Sequence, residues 1–356
     1  MLYVHQYPDW TRFRYDTHAV MTALGTVRYT QGKLAAMAEI CGIDELEEEI
    51  VAQEIVASFA IDEINLDLDE IREDVKQRSK ASRNFVINSL GIVQNAKSPL
   101  TTERIFNWHC ALSKKNPFRF RNIDNAIKRI ANNEKSDSKD SSLPQELNFV
   151  GPHHESVPKL VENFISWFET SPMDGILKAA IAQFWFLTLR PFEGANGRIA
   201  RMISCLQLVR SSDFAKNIYP INNEIFSRRD QYLKILNKVQ HGNGDITPWL
   251  LWFLQALQTA MENMLQRLAP KISRIQFKQR IDSVALDIRE QMLVQAAASG
   301  KLPRQFSAKD VAALLMASHD TALRQIQSLI AKGVFKPAGK GGRSQKYCLG
   351  EMAAGG

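Results

Sequence analysis

The sequence has few cysteines and no long apolar run, and these absences exclude several classes of protein. Its four cysteines lie far apart with no C-x-x-C pair, which argues against a disulfide framework and against a zinc site. The apolar stretches around 179–189 and 249–257 are too short and too often interrupted to span a bilayer. Residues 1–16 are too polar for a signal peptide. We therefore expect a cytoplasmic protein that does not bind membranes.

Strand signals are also scarce in the first 270 residues. Apolar residues recur there at helical spacing, as in the stripe formed by Leu46, Ile50 and Ile55. One helix is predicted over 67–92, and another is predicted to end before Pro191. This periodicity predicts an all-α body for most of the chain.

The positive charge is concentrated towards the C-terminal end. Over 356 residues, 45 Lys and Arg against 38 Asp and Glu give a formal net charge of +7. Residues 271–356 hold 14 of the basic and 6 of the acidic residues, a net charge of +8, so the rest of the chain is close to neutral. This distribution indicates a polyanionic partner for the C-terminal segment rather than for the whole chain.

The C-terminal segment has the outline of a winged helix. A helix is predicted from Phe306 to Met316, a second helix follows the cap-like Ser318, and two short apolar strands flank a glycine-bearing turn. The side chains suited to base edges and phosphates are Arg324 and Gln325 on the second helix and Lys340, Arg343 and Lys346 on the hairpin. The pattern indicates DNA binding. The alternative is a winged helix that serves only in protein contacts.

The most informative stretch is RPFEGANGRIAR, which runs from Arg190 to Arg201. A helix ends at Pro191, a loop of small residues follows, and a new helix begins near Gly197. The N–H groups at the start of that helix, together with Arg198 and Arg201 three residues apart, favour the binding of a phosphate. The alternative is a tight turn between two helices whose arginines pair with surface carboxylates.

This stretch resembles the signature H-P-F-x-D/E-G-N-G-R-x-x-R of the Fic (Fido-fold) family. Tyr7–Asp16, Trp108-His109 and residues 245–249 also resemble bacterial members that carry a C-terminal winged helix. The resemblance implies a mainly α fold: an all-α Fido body with a small β-hairpin flap, followed by a winged-helix (α+β) domain.

The resemblance also implies three regions along the chain. These are an N-terminal helical region over 1–95 with an inhibitory-type helix near 54–64, a Fic core over 96–265, and a winged helix-turn-helix domain over 266–356. The flap is expected to have its arms at Ile127–Ile130 and Leu147–Val150, on either side of a charged, serine-rich segment over 132–142. That segment is predicted to be a surface loop, either a tolerated insertion or a functional lid.

Fic enzymes transfer AMP from ATP to a protein hydroxyl with the help of Mg²⁺. The resemblance therefore implies ATP and Mg²⁺ as ligands and a target protein with a Ser, Thr or Tyr hydroxyl, and it leaves a homodimer open. The residues implied to hold the nucleotide and its phosphates are Gly194, Ala195, Asn196, Gly197, Arg198, Arg201 and Tyr232.

The motif departs from the family pattern at the positions of the general base and of the metal-holding carboxylate. Arg190 stands at the position of the family's general base, and a guanidinium cannot accept a proton near neutral pH. Gly194 stands at the position of the metal-holding carboxylate, which leaves Glu193 as the nearest carboxylate for a metal. We expect a protein that binds nucleotide but is weak or inactive in AMP transfer. The alternative is an enzyme in which Glu193 holds the metal and water or substrate acidity replaces the base.

Family members carry an inhibitory helix with the pattern S/T-x-x-x-E-G/N. Here Ser58 and Asp62 stand at its first and its acidic positions, and Glu63 replaces the small residue. We expect an Asp62–Arg201 contact that competes with ATP, with an ordinary helix surface as the alternative. A different class of function also stays open: a DNA-binding transcriptional regulator or toxin–antitoxin-type partner, in which the helical body serves for sensing or dimerisation.

Overall fold

The computed structural model describes residues 2–42, 44–113, 118–124, 149–212, 218–338 and 345–350, without the side chains at 44, 45, 79 and 280. Within these ranges the chain has fourteen α-helices and three short strands. None of the described helices is long and apolar enough to cross a membrane. The mainly α fold expected from the sequence is confirmed. Residues 127–130, 132–142 and 147–148, where the flap and the serine-rich loop were expected, lie outside the described residues.

The chain divides into two compact units. The first, here called the helical body, consists of Met1–Ala36 and Ile43–Met264, and the second, here called the C-terminal unit, consists of Met37–Gly42 and Leu265–Gly356. The helices that begin in the body are α1 (Thr17–Cys41), α2 (Asp44–Ile61), α3 (Leu68–Gln77), α4 (Asn84–Gln94), α5 (Thr102–Leu112), α6 (Val157–Thr170), α7 (Gly175–Leu189), α8 (Asn196–Arg210), α9 (Ile221–Ser227), α10 (Arg229–Gln240) and α11 (Thr247–Asp282). The three-region division made from the sequence stays a prediction.

Helices α7 and α8 pack against each other at the centre of the body. Every residue of α7 from Ile176 to Leu189 is buried, so this helix has no solvent face. Its start is capped by Asp174, whose carboxylate accepts the N–H groups of Ile176 at 2.9 Å and Leu177 at 3.2 Å. The loop that joins α7 to α8 therefore begins and ends in well-packed structure.

Helix α2 packs against α3, α8 and α9. The helix predicted over 67–92 is wrong as a single element, because the chain turns at Arg78, which has a φ of 54°. Asp74 stabilises the turn: its carboxylate accepts the N–H of Ser82 at 3.1 Å and an Nη1–H of Arg83 at 2.7 Å. The turn lets α3 and α4 both contact α2, whose C-terminal end carries Ser58 and Asp62.

The C-terminal unit adds α12 (Ile288–Ala298), β1 (Phe306–Ser307), α13 (Ala308–Leu315), α14 (His319–Ala331), β2 (Phe335–Ala338) and β3 (Lys346–Leu349). The strands form an antiparallel sheet in the order β1-β3-β2. The helix predicted from Phe306 begins only at Ala308. Phe306 pairs with Tyr347 instead and buries its ring against Phe335, at 4.9 Å between ring centroids. Burial of these two aromatic rings decides this boundary.

Candidate functional site

The loop between α7 and α8 is closed by one side chain. Asn196 donates from Nδ2 to the carbonyl of Phe192 at 2.8 Å and accepts the N–H of Phe192 on Oδ1 at 3.1 Å. Two loop residues, Arg190 with φ 46° and Ala195 with φ 61°, adopt left-handed backbone. Asn196 was predicted to hold phosphate. The structure uses both polar ends of its amide to hold the loop in shape.

Phe192 anchors the middle of the loop. Its ring is 1% exposed and stacks on the imidazole of His109, with ring centroids 4.0 Å apart and 9° between the planes. Phe106 and Phe120 complete the aromatic surroundings at 6.0 and 5.9 Å. The loop is thus fixed by packing as well as by hydrogen bonds, which pre-organises the backbone in front of α8.

Arg198 and Arg201 converge on one carboxylate at the start of α8. Arg198 Nε donates to Asp62 Oδ2 at 3.1 Å, and Arg201 Nη2 donates to Asp62 Oδ1 at 3.2 Å. The contact between Asp62 and Arg201 expected from the sequence is present, and Arg198 joins it. The side chain of Arg201 is only 1% exposed and that of Arg198 is 11% exposed, so the carboxylate neutralises two largely desolvated charges.

Ser58 holds Arg201 from the same turn of α2. Arg201 donates from Nε to Ser58 Oγ at 2.9 Å and from Nη2 to the Ser58 carbonyl at 2.6 Å. Gly197 makes the approach of α2 feasible, because a Cβ at that position would lie 3.1 Å from both Asp62 Oδ1 and Arg201 Nη1. Because Gly197 has no side chain, the carboxylate of Asp62 can approach the first turn of α8.

The end of α2 is fastened by a third arginine that the sequence analysis missed. Arg229 donates from Nε to the carbonyl of Ile61 at 2.7 Å and pairs with the carboxylate of Glu63 at 2.7 Å. Glu63 has a φ of 63°, the left-handed conformation that favours glycine. The family pattern has glycine or asparagine at this position, and both adopt this backbone more readily than glutamate, so Glu63 holds it at a steric cost.

Glu54 anchors α2 two turns earlier. Its fully buried carboxylate accepts the N–H groups of Asn222 at 2.9 Å and Asn223 at 3.0 Å, at the start of α9. Burial raises the pKa of Glu54 to about 8, against the lowering effect of these hydrogen bonds and of nearby Arg201. A single acidic residue within a helical stretch gives no signal of such a role in the sequence.

Arg121 contacts the beginning of the loop, at Arg190 and Pro191. Arg121 donates from Nε to the carbonyl of Arg190 at 2.8 Å, and its backbone N–H donates to the carbonyl of Pro191 at 2.9 Å. Burial, with a further effect of the charge on Arg121, lowers the pKa of Arg190 to about 10. Arg190 Nε is buried and has no hydrogen-bond partner among the described residues. Even with this lowered pKa, Arg190 is protonated at pH 7 and cannot act as a general base.

Glu193 and Gly194 are exposed at the rim of a cavity of about 520 Å³. The other residues that line it are His109, Ser113, Arg119, Phe120 and Arg121. A Cβ on Gly194 would meet nothing within 4 Å, so the position has room for a carboxylate side chain. Among the described residues that line this cavity, Glu193 supplies the carboxylate that could hold a magnesium ion together with substrate phosphates.

Tyr232, predicted to contact nucleotide, lies in the core. Its ring is 2% exposed and packs against both Trp249 and Trp252, at 5.9 and 5.5 Å between centroids. Burial raises the pKa of its phenol. The structure gives the ring of Tyr232 a packing role, with its phenol near Arg201. The predicted residues at the loop and the first two turns of α8 are Gly194, Ala195, Gly197, Arg198 and Arg201.

The predicted DNA-contacting residues are only partly described. Arg324 on α14 and Lys346 on β3 are exposed. Gln325 instead turns towards the start of α12, where its Nε2 lies 3.4 Å from Asp287 Oδ2. Lys340 and Arg343 lie outside the described residues.

Comparison with known proteins agrees with this geometry. Residues 99–208 match the model of the Fic/DOC family, and residues 3–80 match the model of a domain of unknown function, DUF4172. The chain contains a Fic-family domain. The Fic-family match covers the loop, α7 and all but the last two residues of α8, and the family resemblance noted in the sequence is confirmed.

Solved structures show the same fold at low sequence identity. A Fic family protein from Desulfovibrio desulfuricans G20 superposes with a TM-score of 0.58 at 19% identity, covering 94% of this chain and 96% of that one. A variant of a Fic-1 fragment from C. elegans superposes with a TM-score of 0.50 at 16% identity, covering 70% of this chain and 72% of that one. At these identities the likeness concerns fold alone.

Proposed function

We propose that this Fic-family protein binds a nucleotide through the first turn of α8 and is weak or inactive in AMP transfer. One observation carries the proposal: the carboxylate of Asp62 lies between Arg198 and Arg201 at the N-terminal end of α8. Two convergent guanidinium groups at a helix N-terminus form a site for an anion. The protein's own carboxylate occupies the place where phosphate oxygens would bind.

The nucleotide and Asp62 then compete for the same arginines. Displacement of Asp62 would free the Nε donor of Arg198 and the Nη2 donor of Arg201 for phosphate oxygens. Gly194, Ala195 and Gly197 would let the phosphates approach the backbone. Magnesium, where it takes part, would be held by Glu193 together with the phosphates, and it supplies charge neutralisation. Ser58 and Asp62 are inhibitory in this proposal.

The replacement of the family base supports the second half of the proposal. Arg190, with a pKa of about 10, remains charged at pH 7 and is not able to take a proton from a target hydroxyl. Loss of a general base costs about 10²–10⁴-fold in rate. Gly194 removes the family's metal-holding carboxylate as well. The donors that would bind the phosphates are those of Arg198 and Arg201, so loss of the base and of the metal-holding carboxylate weakens catalysis more than binding.

Incubation with labelled ATP and Mg²⁺ tests this proposal. We expect the wild type to show little transfer of label to itself or to added proteins. The double variant Arg190→His with Gly194→Asp is expected to raise it, because position 194 has room for a side chain. Gly194→Asp alone is the matched control. Robust labelling by the wild type would refute the inactive assignment.

We propose DNA binding by the C-terminal unit as a second function. The supporting observation is that Arg324 on α14, the second helix of a helix-turn-helix pair, and Lys346 on the adjoining strand are both exposed. Duplex DNA should be retarded by the full chain in a salt-dependent manner, and Arg324→Ala should weaken this. Lys301→Ala, another exposed cation of the same unit, is the control. Absence of a shift at low salt would rule out this function.

A further inference from the structure

Two histidines and an aspartate meet at the surface of the helical body, on the far side of Arg121 from the loop. His154 Nδ1 lies 3.0 Å from Asp124 Oδ1, and His153 Nε2 lies 3.6 Å from Asp124 Oδ2. One ligand atom from each of the three residues lies within 4.8 Å of the other two. Metal bonds of about 2.1 Å would place adjacent ligand atoms about 3–3.5 Å apart, so little movement is needed to close around an ion.

The donor atoms select the class of ion. Two imidazoles with one carboxylate suit divalent transition metals such as Zn²⁺, whereas Mg²⁺ and Ca²⁺ prefer sites made of oxygen ligands. Three protein ligands leave at least one position for water or for a ligand from another molecule.

The cluster is held in place by the surrounding backbone. Asp124 Oδ1 accepts the N–H of His154 at 2.8 Å, which leaves Oδ2 towards His153. The carbonyl of His153 accepts both the N–H of Ser156 at 3.0 Å and its Oγ–H at 2.7 Å, which fixes the turn that carries the histidines.

Outer groups complete the arrangement. The carboxylate of Glu155 lies 3.8 Å from His153 Nδ1, the ring nitrogen that does not face Asp124. A carboxylate at the second ring nitrogen is the usual outer partner of a metal-binding histidine. The buried Arg121 lies 3.5 Å from Asp124 Oδ1 and also holds the carbonyl of Arg190, so the same arginine contacts the cluster and the motif loop.

We propose that Asp124, His153 and His154 bind a divalent transition-metal ion of the Zn²⁺ class. This site is separate from the nucleotide site and does not depend on nucleotide binding or AMP transfer.

Titration of the untagged, metal-stripped full chain with Zn²⁺ in a calorimeter tests the proposal. We expect one ion per chain. His153→Ala and His154→Ala are each expected to weaken binding by at least about tenfold, and the double variant should abolish it. His18→Ala, which removes an exposed histidine elsewhere in the body, is the matched control and should leave binding unchanged.

Co²⁺ absorption and Mg²⁺ binding test the class of ion independently. Co²⁺ should give a visible absorption band with the wild type that is lost in the double variant. Mg²⁺ should bind no better to the wild type than to the double variant, and the reverse would overturn the assignment to the Zn²⁺ class. Absence of saturable Zn²⁺ binding, or equal affinity in a double variant whose metal-free thermal unfolding matches wild type, would overturn the site itself.

Discussion

Replacing Asp62 with Ala removes the carboxylate that bridges the two arginines of α8. Arg201 keeps its two hydrogen bonds to Ser58. Among the described residues, Arg198 retains the bond from Nη1 to the carbonyl of Leu112 at 3.3 Å and its place over the ring of Phe59. The variant therefore has two desolvated cations without their shared anion. We expect it to fold with reduced stability and to bind anions at this place more tightly.

The magnitudes follow from the exposure of the groups. A hydrogen bond to a charged group contributes about 1.5–3 kcal/mol, and the Asp62 side chain is 27% exposed, so solvent screens part of this. We expect a loss of about 1–2 kcal/mol in the free energy of unfolding. If closure by Asp62 opposes nucleotide binding by about 1–3 kcal/mol, its removal raises ATP affinity by about 5- to 150-fold.

Calorimetric titration with ATP, with and without Mg²⁺, measures this difference. Asp62→Asn, which keeps the size and loses the charge, should lie between wild type and Asp62→Ala. Asp69→Ala is the control, because that exposed aspartate pairs with Arg72 on α3 and lies outside the motif. Adding Arg198→Ala to Asp62→Ala should lose the gained affinity. An unchanged or lower ATP affinity in a folded Asp62→Ala variant would refute autoinhibition by this residue.

Two further predictions concern Glu63, which follows α2, and Glu54, which lies within it. Glu63→Gly should be more stable than Glu63→Ala by about 0.5–1 kcal/mol in chemical denaturation, because both lose the ion pair with Arg229 but only glycine relieves the left-handed backbone. For Glu54, the pKa of about 8 in the folded protein lies above the ordinary carboxyl value of 4.5. Between these two pH values the native state binds a proton that the unfolded state has lost. The free energy of unfolding should therefore fall as pH rises, by at most about 1.4 kcal/mol per pH unit. Glu54→Gln should flatten this dependence in urea unfolding measured from pH 5 to pH 8.

Each of these has a result that would contradict it. An alanine variant at 63 as stable as the glycine variant would show that the turn stores no strain. Parallel pH profiles for the wild type and Glu54→Gln would assign the pH dependence to other groups. Glu49→Gln, at a half-buried position of the same helix, is the matched control for the second measurement.

Local sequence patterns were sufficient to predict where the helices around the site begin and end. The apolar run to Leu189 followed by Pro191 predicted the end of α7, and the small residues before Gly197 predicted a new helix within one residue of its start at Asn196. These features depend on neighbours in the chain, where periodicity, caps and backbone freedom act directly. The same reasoning failed over 67–92, because the break at Arg78 is stabilised by Asp74 and by packing of two helices on α2.

The roles of single side chains were decided only by the tertiary structure. The family resemblance places Asn196 and Tyr232 with the nucleotide, whereas the fold ties Asn196 to Phe192 and buries the ring of Tyr232 against two tryptophans. The roles of Arg121 and Arg229 have no signal in the sequence. Each arginine donates to a backbone carbonyl that the fold brings next to it, and this contact depends on packing rather than on neighbouring residues.

The sequence alone determined the mainly α body, the loop of small residues between α7 and α8 and the C-terminal excess of positive charge. The family resemblance predicted the contact of Asp62 with Arg201, and only the tertiary structure showed that Arg198 shares the same carboxylate, more than 130 residues away along the chain. The physical reason is that helix periodicity is set by neighbouring residues, whereas a shared, desolvated ion cluster depends on how α2 and α8 pack across the core.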